Sequence, residues 1–95
     1  MKIEEFEDII SHYRWLLGIK TAYQAHLNYM SKMKDCYTIC GIVYQAGGDA
    51  RTMDINPHKP IDPSYLAVAL ENAISRIDDE LKESAEKLRQ AGFDV

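Results

Sequence analysis

The chain has 95 residues, 15 of them acidic and 11 basic, for a net charge of −4. That length holds one small domain, spanning residues 1–95, and buries only a modest fraction of its surface. The acidic balance argues against a nucleic-acid binder, which needs a basic face to release counterions, and no run approaches the roughly 18 apolar residues of a membrane span.

The first segment, residues 2–33, opens with Glu4, Glu5, Glu7 and Asp8, where carboxylates offset the positive end of a helix dipole. Ile3, Phe6, Ile10, Tyr13 and Leu17 then recur at helical spacing, and the stripe shifts to Leu16, Ile19, Tyr23, Leu27 and Met30. The shift falls at Gly18, so the sequence predicts either one long helix bent there or two helices meeting there. Trp15, Tyr23 and Tyr29 are core or dimer contacts, or else platforms for a ligand ring. His12 and His26 add titratable groups.

The centre of the chain, from Asp35 to Lys59, is the part that does not read as helix. Tyr37, Thr38, Ile39, Ile42, Val43 and Tyr44 give strand composition over residues 36–45. Both faces of that strand look apolar, which predicts cover on both sides. Ala46-Gly47-Gly48-Asp49 is a turn signal. Residues 50–55 return as a second strand, with Arg51, Met53 and Ile55 on one face and Thr52 and Asp54 on the other. A lone hairpin is marginal in water, so this one (residues 36–55) must pack on the helices or pair with another hairpin. Cys36 and Cys40, four apart on the expected strand, read as small buried hydrophobes. Their spacing is a weak metal signature, and we expect no metal and no cofactor. Two cysteines without a signal-peptide pattern predict a cytoplasmic protein.

Asn56-Pro57-His58-Lys59-Pro60 opens a stiff link over residues 56–61, since each proline fixes its own φ and extends the residue before it. Asp62 as N-cap and Pro63 as first helical residue start the second helix, residues 62–91. Leu66, Leu70, Ile74, Ile77, Leu81 and Leu88 follow at near-heptad, coiled-coil-like spacing, with Ser84 the one weak step. Gly92 stops the helix, and Phe93 can fold back on Leu88.

These elements predict an α+β fold in the order helix, hairpin, helix, with the long helices antiparallel. The surplus of apolar surface predicts a homodimer or higher oligomer, through the second helix's heptads and the residue 36–45 strand. A short acidic chain of this order resembles small phage or prophage accessory proteins in general style, which implies an adaptor or inhibitor of a partner protein. No functional residue follows from that likeness.

One cluster of mixed polar groups sits on a turn and a rigid link: Gly47, Gly48, Arg51, Asp54, Asn56, His58 and Lys59. Arg51, the Gly-Gly amides and the nearby helix N-terminus each suit an anion, which keeps open a nucleotide-like ligand held between subunits. A small enzyme with His58 as base and Asp54 orienting it is a further alternative. No nucleophile lies in a recognised context, and the expectation is a non-enzymatic binding protein with no catalytic residue.

Overall fold

A computed structural model describes residues 2–33 and 36–94. Asp35 at the start of the central stretch, Val95 at the chain's end, and Met1 and Lys34 lie outside the described residues. The element order is α1 (Ile3–Met33), β1 (Gly41–Ala46), β2 (Asp49–Asp54) and α2 (Ser64–Gln90). The helices pack on each other and the strands pair with each other, giving the expected α+β arrangement. The body is flat, with extents of 57 × 34 × 14 Å.

α1 runs unbroken through Gly18. A glycine there costs a helix about 1 kcal/mol relative to alanine, and a Cβ at that position would meet nothing within 4 Å.

The helix–helix seam follows a three–four spacing on both sides. On α1 it takes Phe6, Ile9, Tyr13, Leu16, Lys20, Gln24, Leu27 and Met30; on α2 it takes Ala67, Leu70, Ile74, Ile77, Leu81, Ser84 and Leu88. Leu16 and Leu88 are the most deeply buried, at 1% and 2% exposure. Leu17 and Leu66, expected on the apolar faces, are instead exposed, and so is Ile3. For Leu17 the reason is Lys20, which occupies a seam position, so a stripe read from apolar residues alone drifts one place off the buried line. On α2 the seam takes Ala67 in place of Leu66. From Leu70 onward the α2 heptads are covered by α1 of the same chain and do not face outward.

Lys20 Nζ lies 2.6 Å from Asp78 Oδ1, with both side chains about one-third exposed. A partly solvated pair contributes little but fixes which residues face each other. In a double-mutant cycle, Lys20→Ala and Asp78→Ala should couple by about 0.5–1 kcal/mol in urea unfolding. A coupling indistinguishable from zero would remove the pair from the register argument.

Both ends of α2 follow their sequence signals. Pro63 already has helical angles, φ −58° and ψ −25°, and the Asp62 carboxylate accepts a hydrogen bond from the Ser64 N–H at 3.0 Å. The Ser64 hydrogen bonds hold the Asp62 carboxyl below the usual carboxylate range. Its folded value therefore lies under its unfolded one. The stabilisation is complete above the unfolded value and is lost as pH falls through the folded one. Asp62→Ala should melt at a lower temperature than the parent at neutral pH, and that gap should close as pH drops below about 4. A gap that stays constant with pH would show that the carboxylate's charge is irrelevant.

At the other end Gly92 takes φ +95°. Its N–H donates to the Arg89 carbonyl and that of Phe93 to the Leu88 carbonyl, both at 2.9 Å, which is a Schellman ending. The Phe93 ring meets Phe6 of α1 edge-on, centroids 5.5 Å apart, so it closes the end of the helix pair.

The hairpin is paired from Gly41↔Asp54 to Ala46↔Asp49. Gly47 and Gly48 have φ of +59° and +92°, and positive φ at both central residues is what a type I′ turn demands. Two expectations change here. The first strand begins at Gly41 and not at Cys36, because its partner runs out: the Ile55 N–H still reaches the Cys40 carbonyl at 3.0 Å, but Pro57 has no N–H to offer further on. Cys36 and Cys40 therefore lie before the strand, and both are exposed where burial was expected. Nor do the helices cover the hairpin. Neither strand packs on either helix, and every strand residue except the half-buried Ile42 is exposed. The flanking segments 36–40 and 55–63 tether the hairpin to the helix pair, with the Tyr37 hydroxyl donating to the Pro63 carbonyl at 3.3 Å.

Candidate functional site

The seven candidate residues divide between the two ends of the hairpin. Gly47 and Gly48 form the tip, with Arg51 on β2 opposite Tyr44. Asp54, opposite Gly41, lies at the base. Asn56, His58 and Lys59 follow in the link, where the Asn56 side-chain oxygen accepts the His58 N–H at 2.9 Å and the Asn56 carbonyl accepts the Lys59 N–H at 3.0 Å. That turn is local and holds its own shape. At about 3.4 Å per residue, the tip and base are separated by roughly 17 Å.

The separation bears on both chemical alternatives. Arg51 and the Gly-Gly amides sit at one end, while the N-terminus of α2 sits at the other with Asp62 already on its amides. The three anion-binding features do not converge. Arg51 has a loose neighbour, Asp49, at 4.0 Å, and both side chains are largely solvated. Asp54 and His58 share the base, but no side-chain hydrogen bond or ion pair joins them. No group of three or more His, Cys, Asp or Glu residues among those described is placed to hold a metal ion.

A different surface emerges from the register. Residues directly opposite share a face, so Ile42–Met53 and Tyr44–Arg51 lie on one side, extended by Cys40 and Ile55 beyond the last strand pair. The other side carries Gly41–Asp54, Val43–Thr52 and Gln45–Ala50. The first is an apolar strip with Arg51 and Asp49 at its tip end. Tyr44 and Met53 are about half exposed, at 49% and 45%. At its base, Thr38, Ile39, Cys40, Ile55, Pro57 and Pro60 line a cavity of about 330 Å³. The sequence shows the β2 half of this strip as the alternation Arg51, Met53, Ile55. The β1 half becomes visible once the two-residue turn fixes the pairing.

Among the described residues no strand pairs with either outer edge of the two-stranded sheet, and such edges accept an added strand. No helix among the described residues is long and apolar enough to cross a membrane. Comparison with family models, with curated proteins and with solved structures found no match.

Proposed function

We propose that the protein is a non-enzymatic, oligomeric binding protein, an adaptor or inhibitor that engages a partner protein through the hairpin. The observation that carries this is the hairpin's isolation. A two-stranded ribbon that packs on no helix is marginal in water, yet this one keeps an apolar strip and two free edges open. A partner that covers the strip would stabilise the ribbon by the same contacts that bind it. Ile42, Tyr44 and Met53 are the anchors, and Arg51 and Asp49 form a polar rim. The free, exposed thiols of Cys36 and Cys40 suit the reducing cytoplasm. A polypeptide partner fits better than a small anion, since the anion-binding features lie at opposite ends of the ribbon.

The test is a photo-crosslinker at Tyr44, compared with one at Glu83 on the solvated face of α2, in cells that express the protein. A discrete adduct is expected from Tyr44 alone. Met53→Lys should weaken that complex by roughly thirtyfold or more, as loss of a central anchor does, while leaving the helical circular dichroism unchanged. Equal labelling from the two positions, or an adduct indifferent to Met53→Lys, counts against the hairpin as the binding surface.

A further inference from the structure

The back of α1 repeats the spacing of its buried side. Trp15, Gly18, Ala22, Ala25 and Tyr29 follow at intervals of three and four residues, opposite the face that carries Leu16 and Met30. All five are exposed, Trp15 and Tyr29 at 60% each. α2 has no counterpart, since its outer face carries Asn72, Arg76, Asp79, Glu83 and Glu86. Helix propensity accounts for Ala22 and Ala25, but no contact among the described residues accounts for Gly18. Gly18 has no positive φ to satisfy, and a side chain there would meet nothing. Helix propensity favours almost any other residue at that position.

Resting on the oligomeric reading above, we infer that this face binds the same face of a second copy, α1 against α1, antiparallel about a two-fold axis beside Ala22. A two-fold contact must be self-complementary, and this face reads the same from either end: large, small, small, small, large. Trp15 and Tyr29 lie seven residues to either side of Ala22, so the axis sets Trp15 of one copy against Tyr29 of the other. Gly18, Ala22 and Ala25 let the helix axes approach to about 8 Å, and the aromatic rings close the contact at both ends.

Charge selects the direction. The N-terminal end of this face carries Glu4 and Glu7, and the C-terminal end carries Lys32. Antiparallel pairing brings each acidic end towards the other copy's lysine, whereas parallel pairing would set carboxylates against carboxylates. The area is adequate. Four rings at their present exposure supply on the order of 500 Å², and the helix flanks between Ser11 and Met33 extend this towards the roughly 1,600 Å² of a standard interface. The two hairpins then stand at opposite ends of the dimer, their α1 ends about 33 Å apart along the helices.

The experiment is sedimentation velocity on the parent, Gly18→Leu and Ala22→Glu across the micromolar range. It is joined by a nitroxide distance from Asp8→Cys in a Cys36→Ser, Cys40→Ser background. The parent should dimerise, and each interface variant should raise the dissociation constant by roughly tenfold or more without loss of helical circular dichroism. Gly18→Leu is the decisive variant, because a role confined to the single chain would leave association unchanged. The label distance should be about 42 Å, from the helical rise, against roughly 10 Å for parallel helices. An oligomer indifferent to both variants, or a short label distance, overturns this interface and leaves the hairpin reading standing. A parent that is monomeric at high micromolar concentration overturns this interface and the oligomeric part of that reading together. Failure of the Tyr44 crosslink alone leaves this interface intact.

Discussion

Leu16→Ala should destabilise the protein by about 3 kcal/mol, and Leu88→Ala by a similar amount. Each removes a side chain almost wholly excluded from solvent, in a seam only two helices deep. A flat body of this size has little neighbouring material that can close the gap. For a chain near 100 residues such a loss lowers the melting temperature by on the order of 15 °C, a large share of the usual stability. Leu17→Ala is the control. Leu17, next to Leu16 in sequence, is 40% exposed, and the change should cost well under 1 kcal/mol. Thermal melts followed by circular dichroism at one fixed protein concentration decide the matter, since an oligomer's melting temperature varies with concentration. Equal losses at positions 16 and 17 would mean that the seam is misplaced by one residue.

The second large effect concerns the hairpin tip. Both glycines hold left-handed φ, a conformation that costs a side-chain-bearing residue about 1–2 kcal/mol. Replacing Gly47 and Gly48 together by valine should therefore outweigh the small stability of an isolated ribbon. The hairpin should be lost while the helix pair, which does not touch it, keeps its melting temperature. Partner binding through Tyr44 should fall with it. Loss of the strand chemical shifts with an unaltered helical melt is the expected result. A helical melt that drops in parallel would show that hairpin and helices are coupled after all.

The helices are legible in the sequence because their ends carry strong local signals. Asp62 and Pro63 fix the start of α2, and Gly92 with Phe93 fixes its end; each signal acts within a turn. The tip is legible for the same reason, since a Gly-Gly pair has few other uses between two strand-like runs. The seam is harder to read. Lys20 is a charged residue on a buried line, and only its meeting with Asp78, far along the chain, justifies its place. The start of β1 is harder still. Nothing in residues 36–40 forbids a strand; Pro57, on the opposite side of the ladder, does. The candidate polar cluster is close in sequence and split in space, because a hairpin places its turn and its base at opposite ends. Proximity along the chain is a poor guide wherever an extended element intervenes.

The hairpin's detachment also has a consequence for motion. Amide hydrogens in α1 and α2 near Leu16 and Leu88 can exchange only when the whole helix pair opens, so their protection measures global stability. Those of Ile42, Tyr44, Arg51 and Met53, which the ladder between the strands bonds, answer to a separate and much smaller opening free energy. The ribbon is thus a reporter independent of the body that carries it: a binding event on its apolar strip slows exchange at the strands, while one on the back of α1 slows the helices and leaves the strands fast.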